Sequence, residues 1–169
     1  MANRSWQVTF TSLPQNLAEL QQLLEASLSE AYYAAALAVA AFCRYPDSRE
    51  DALAMLDYLN GPKPLSNYDK QFIADRLTGK EYVPRSYLVG ATPTNNYQPS
   101  EPLRVVVEDN PYSYDNQEQG YIKLYLRSGG ADSPRPVTLR LQPSSGRWFL
   151  WEQLLLADIR KPVQEDPWA

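Results

Sequence analysis

The chain carries 20 acidic and 16 basic side chains, 12 tyrosines and one cysteine, but no histidine. Histidine is the commonest general base and metal ligand and the usual partner of a serine or cysteine nucleophile, so its absence removes those routes together. Chemistry here has to run on Asp, Glu, Tyr, Lys or Arg. The glycine-rich phosphate loop, the dinucleotide fingerprint, the nucleophile elbow and the EF-hand loop are all missing, so nucleotide, hydride-transfer, hydrolase and calcium readings have no sequence support. No catalytic residue, metal ligand or cofactor is assigned.

Four constellations remain. Ser128, Gly129, Gly130, Ala131, Asp132 and Ser133 lie between Arg127 and Arg135, and paired glycines with guanidinium groups suit a phosphate or carboxylate cradle. A hairpin loop needs such glycines anyway, and Asp132 can instead hold an arginine. Asp109, Asp115 and Glu118, with Asn110 and Asn116, form an oxygen-rich stretch, but the spacing fits no calcium loop and suits a solvated turn. Tyr82, Arg85, Tyr87, Asn95, Asn96 and Tyr97 fall in one connection. That mix is enriched at recognition surfaces; the alternative is a set of rings that pin the loop, each hydroxyl on a backbone group. In the fourth, strand alternation puts Trp148 and Leu150 on one face and Phe149 and Trp151 on the other, so one aromatic pair covers the core while the second lines a groove beside Glu152. A plain sheet edge covered by residues 154–156 is the alternative.

The candidate binding residues are therefore Arg85, Tyr87, Asn95, Tyr97, Arg127, Asp132, Arg135, Trp151 and Glu152. A recognition site predicts Arg85, Tyr87 and Tyr97 partly exposed around one concavity. An enzyme predicts Glu152 or Asp132 buried in a pocket beside Arg85, Arg127 or Arg135.

Hydrophobic residues make up 44% and charged residues 21% of the chain, which suits a globular protein rather than a disordered one. Net charge is −4, and no run of five like charges occurs, so neither nucleic acid nor an anionic membrane is an expected partner. Cys43 has no partner for a disulfide or a zinc site and reads as a small buried hydrophobe. The N-terminal residues Met1-Ala-Asn-Arg-Ser-Trp-Gln show no apolar leader core, and residues 31–43 are shorter than the roughly 20 needed to span a bilayer. A cytoplasmic location is expected.

Periodicity supplies the elements. Trp6, Val8 and Phe10 alternate with polar residues over 5–11, predicting a short strand or extended lead-in. Leu17, Leu20, Leu24 and Leu28 predict an amphipathic helix over about 15–25. Residues 30–44 are apolar on nearly every face and rich in alanine, which predicts a central helix covered all round. Asp47 or Ser48 caps a third helix carrying Leu53, Leu56 and Leu59, and Ser66 caps a fourth carrying Phe72, Ile73 and Leu77, with Gly79 at its left-handed end. Prolines and asparagines over 82–102 predict a long ordered connection. Strands follow over 103–108, 120–128, 136–142 and 147–152. The expected fold is α+β: about four N-terminal helices, then a C-terminal antiparallel meander of about four strands, with the helices packed on one sheet face. One domain is expected over 1–169, with a helical half to about residue 80 and a sheet half over about 103–157.

Leu65-Ser-Asn-Tyr-Asp-Lys-Gln-Phe-Ile, Tyr82-Val-Pro-Arg-Ser-Tyr-Leu-Val-Gly-Ala-Thr-Pro, Ser128-Gly-Gly-Ala-Asp-Ser-Pro-Arg-Pro and Trp148-Phe-Leu-Trp-Glu resemble an uncharacterised bacterial domain-of-unknown-function family, mainly from Firmicutes. The resemblance covers most of the chain and implies a bacterial origin, but no activity, cofactor or site residue. The element order is also similar to the cone-shaped fold of nuclear-transport-factor-like proteins, whose sheet encloses a pocket; fold likeness does not fix function. The preferred reading is a non-catalytic binding or interaction module for a protein, peptide or small molecule. The alternative is an enzyme with a carboxylate, arginine and tyrosine site.

Overall fold

The computed structural model describes residues 3–169; of the N-terminal stretch read for a leader, Met1 and Ala2 lie outside the described residues. The fold is α+β, with five strands in one antiparallel sheet of order β1-β2-β3-β4-β5. The strands are β1 (Ser5–Phe10), β2 (Leu103–Glu108), β3 (Tyr121–Leu126), β4 (Arg135–Gln142) and β5 (Arg147–Gln153). Between β1 and β2 come helices α1 (Leu17–Gln21), α2 (Ala31–Arg44), α3 (Arg49–Asn60), α4 (Asn67–Leu77) and α5 (Tyr82–Arg85).

The chain therefore opens on a strand, and the expected order of helices then sheet is corrected at its start. β1 pairs antiparallel with β2, register Val8↔Val105. Val8 and Phe10 are buried to 3% and 1% exposure, and a lone extended lead-in has no means of burying alternate side chains so completely. Strand pairing supplies it. The amphipathic helix expected over 15–25 is also shorter. Asn16 caps α1 by accepting the Glu19 N–H, and the chain then tightens into a 3-10 turn at Leu24–Ser27 and turns left-handed at Leu28 (φ 56°). Tertiary hydrogen bonds account for the break: Tyr58 Oη donates to Ala26 O at 2.6 Å and the Trp148 N–H to Leu28 O at 2.8 Å.

The core is organised by α2. Every residue from Ala34 to Phe42 is buried, and the helix touches all five strands as well as α3 and α5. Seven of its buried positions are alanine, which lets backbone layers approach closely. Against it lie Val8, Phe10, Val105, Val107, Ile122, Leu124, Leu126, Val137 and Leu139, the inward positions of four successive strands. No helix among the described residues is long and apolar enough to cross a membrane.

The open end of β1 is tied down by Asp109. Its carboxylate accepts the Arg4 N–H at 2.6 Å, Arg4 Nε at 3.0 Å and Tyr114 Oη at 2.7 Å, and its own N–H returns to Arg4 O at 3.0 Å. Burial alone would raise this carboxyl; the hydrogen bonds from Tyr114 and from Arg4, together with the Arg4 charge, outweigh it and hold the group below the usual range. A carboxyl depressed on folding stabilises fully above its unfolded value of about 3.9 and loses that contribution as pH falls through the lower folded value. In urea melts run downward from about pH 6, Asp109→Asn is expected to start less stable than the parent and to lose less below about pH 4. Parallel curves for the two proteins contradict the clamp.

Candidate functional site

The tyrosine- and arginine-rich connection ties the fold together, and Arg85 and Tyr97 do not join Tyr87 around the small hollow that residues 86–92 share with Arg127. Tyr87 and Tyr97 are 2% and 0% exposed. Tyr87 Oη donates to Leu155 O and Tyr97 Oη to Arg160 O, tying the connection to the C-terminal segment. Burial pushes both phenols up, that of Tyr97 to about 12 against the opposing charge of Arg160, so both hydroxyls are donors at neutral pH. Arg85 Nη2 donates to Tyr97 O at 2.8 Å. Asn95 is filled by its own loop, donating to Gly90 O and accepting from the Thr92 and Gln98 N–H groups. The expectation that Arg85, Tyr87 and Tyr97 ring an open concavity is corrected: a buried backbone carbonyl needs a donor, and these side chains are the donors.

The paired glycines have a packing reason as well. The Gly129 N–H donates to Ser86 O at 2.8 Å and the Gly130 N–H to Ser128 Oγ at 3.1 Å, so both amides of the supposed anion cradle are occupied. A Cβ on Gly129 would fall 1.9 Å from Ala91 O. The flanking charges are engaged too: Arg127 pairs with Glu108 at 2.6 Å, exposed Asp132 with Arg160 at 2.8 Å, and Arg135 Nη2 donates to Asp158 O at 2.9 Å. Neither Asp132 nor Glu152 is buried, so the geometry expected of a carboxylate enzyme does not form.

Trp151 and Glu152 lie elsewhere, on a cleft beside β5. Two adjoining hollows of about 340 and 380 Å³ share Asn60, Lys63, Leu150 and Trp151. The first is walled by Phe42, Leu56, Leu65, Phe72 and Ile73 and continues along Leu150, Trp151, Glu152, Gln153 and Leu154. The second passes over Phe149 and Pro62 to Arg140 and Gln142.

Local sequence builds each wall. α3 starts at Ser48, whose hydroxyl accepts the Asp51 N–H, and stops at Gly61 with φ 63°. Gly61 is required for space as well as conformation, since a Cβ there would sit 2.5 Å from the Phe149 ring. Asp57 Oδ1 accepts the Leu65 N–H at 2.8 Å, and the Ser66–Asp69 capping box then starts α4. These contacts fix the short loop that carries Lys63. On the opposite wall the β4–β5 register shifts between Thr138 and Leu139, leaving Trp151 unpaired between Leu150 and Glu152. The extra residue breaks the simple alternation expected for 148–152: Phe149 and Leu150 are both 7% exposed while Trp151 is 38% exposed.

The electrostatics are concentrated on that indole. Lys63 Nζ and the Arg140 guanidinium each lie over the Trp151 ring at 4.5 Å from its centroid. Arg140 also covers Tyr121 at 5.4 Å, and Tyr121 meets Trp151 edge-on at 5.9 Å. Among the described residues the ion-paired cations are Arg4, Arg44, Arg127 and Arg160; Lys63 and Arg140 have no carboxylate partner. Tyr68, Trp151 and Leu154, three exposed large apolar side chains, surround the same opening. Of the sequence candidates, Trp151 and Glu152 meet in this cleft, while Tyr87 and Arg127 share the lining of a separate hollow of about 250 Å³. Lys63, Arg140, Tyr68 and Leu154 are additions. Arg140 was legible as a wet-face residue of its strand, whereas nothing short of the strand register and the loop's path brings Lys63 to it.

Over residues 12–163 the chain matches a family described as a domain of unknown function (DUF6935), and it belongs to that family. No curated protein and no solved structure matches the chain, so the likeness to nuclear-transport-factor-like proteins is carried no further.

If the tyrosines are structural pins, Tyr87→Phe leaves the Leu155 carbonyl without its donor and is expected to lower stability by about 1–3 kcal/mol. Tyr112→Phe, at a ring 73% exposed, is expected to change it by less than about 0.5 kcal/mol. Urea denaturation followed by fluorescence makes the comparison, and equal losses would remove the pinning role.

Proposed function

We propose that this chain is a non-catalytic binding module whose site is the β5 cleft, and that its ligand is an amphipathic anion. The apolar body of the ligand lies against Leu65, Phe72 and Ile73, and its anionic group meets Lys63 and Arg140. The observation that carries this reading is the pair of cations over one indole without a carboxylate, beside an apolar hollow rimmed by exposed Tyr68, Trp151 and Leu154.

Each cation gains about 0.5–1 kcal/mol from the ring at an exposed site, but the two repel each other and remain hydrated. A ligand carboxylate between them relieves the repulsion and forms charge-assisted hydrogen bonds. The apolar wall adds about 25 cal/mol for each Å² removed from water. Net charge of −4 over the whole chain makes a local excess of unpaired cations a feature that selects ligands by sign. The setting we infer is the bacterial cytoplasm, supported by the family resemblance and by a single cysteine, Cys43, whose thiol burial pushes up to about 12.

Octanoate and its uncharged counterpart octanamide test the reading, with tryptophan fluorescence as the readout. Octanoate is expected to bind saturably and octanamide several-fold more weakly. Arg140→Ala is expected to weaken octanoate by about tenfold, the loss of one partly solvated charge-assisted hydrogen bond, with the fold retained and only the small loss of stability that its ring contacts supply. Equal affinity for acid and amide, or an unaltered Arg140→Ala, overturns the assignment. Native mass spectrometry of protein purified from its own host then identifies any co-purifying anion.

A further inference from the structure

Resting on the binding reading above, we infer that the natural occupant of the cleft is an extended acidic peptide segment that pairs its backbone with the free edge of β5. Five consecutive residues, 150–154, line the first hollow. The bulge at Trp151 breaks the alternation of faces here, and the unbroken run of lining residues marks a hollow that follows the strand along its length. β5 is the last strand in the sheet order and has a strand neighbour on one side alone.

The free side already makes one main-chain hydrogen bond, as donor. The Trp148 N–H leaves the β4–β5 pair and donates to Leu28 O at 2.8 Å. In an antiparallel ladder, residues two apart turn their N–H and C=O groups to the same side. Leu150 therefore turns its own pair outward, toward the cleft, where neither group has a partner outside the sheet among the described residues. An edge left open in this way is the template used in strand addition, in which main-chain bonds supply affinity and pockets for alternate side chains supply selectivity.

Length and charge distinguish a peptide from a compact ligand. Residues 149–154 at about 3.3 Å per residue give an edge of roughly 17–20 Å, more than a single carboxylate with a short tail can follow. The half of the cleft around Arg140, Lys63 and Pro62 contains no carboxylate, whereas the other half is apolar with Glu152 and Asp69 among its lining residues. This asymmetry sets the register: an acidic side chain of the peptide falls at Lys63 and Arg140, and an apolar one enters between Leu65, Phe72 and Ile73.

A synthetic library of end-blocked heptapeptides, with aspartate or glutamate alternating with randomised apolar residues, tests the inference against the intact protein. The same library N-methylated at alternate backbone amides and octanoate serve as comparisons. Library members are expected to bind at least tenfold more tightly than octanoate, to lose that gain on N-methylation and on Arg140→Glu, and to slow hydrogen exchange at the Leu150 amide, which octanoate leaves unchanged. Octanoate binding without a tighter peptide, or peptides indifferent to N-methylation with Leu150 exchange unchanged, overturns strand addition while the anion-binding reading stands. If octanoate and peptides both fail to bind, the two fall together.

Discussion

A helix buried on nearly every side has to be covered on nearly every side, and the alanine-rich α2 imposes that condition on the rest of the chain. Its small side chains stabilise the fold only if apolar surfaces close over them at short range. The sheet supplies one cover, and it reaches the required width only when β1 joins it: Val8 and Phe10 extend the dry face that begins with Val105 and Val107. α3 and α5 supply further cover. The chain's first strand and its last thus serve one helix, which explains a strand ahead of the helices in an otherwise helix-then-sheet order.

Covering α2 also buries backbone that belongs to no regular element, and those groups must find partners. The connection between α5 and β2, with β4, supplies donors to the segment after β5, through Tyr87 on Leu155 O, Tyr97 on Arg160 O and Arg135 on Asp158 O. Asn96 and Tyr97 hold consecutive left-handed conformations, each costing on the order of 1 kcal/mol for such residues, and full burial of the Tyr97 ring offsets that cost. The abundance of tyrosine therefore has a structural cause: a large apolar body with a donor at its tip suits irregular chain packed on a core.

Much of this was legible in sequence. β-Branched composition located β2 and alternation located β4 within a residue or so, since Val137 and Leu139 repeat with the period that a one-sided sheet demands. Caps located α3 and α4, because Ser48 and Ser66 satisfy first-turn N–H groups by local geometry. The short helix α5 and the broken helix after Asn16 were illegible, as their limits are set by partners far along the chain: Leu28 gives its carbonyl to Trp148, more than a hundred residues on. The site was half legible for the same reason. Trp151 and Glu152 stand out by composition, but their meeting with Lys63 and Arg140 depends on a one-residue register shift, which periodicity does not encode.

That shift has a further consequence for the sheet's edge. Native proteins blunt their edge strands with bulges, charges or covering loops to prevent unwanted pairing. β5 uses covering loops and a bulge, but unevenly: Leu28 occupies one outward amide, Gly61 seats the α3–α4 loop against Phe149, and the bulge turns Trp151 outward. Between these protections α4 packs closely against none of the strands, and the gap it leaves is apolar with two unpaired cations at one end. An edge protected at its ends and open at its centre disfavours indiscriminate stacking of whole strands while admitting a short segment of matching charge. On the proposed reading, protection from aggregation and selective recognition arise from the same arrangement of Leu28, Gly61 and the residue inserted at Trp151.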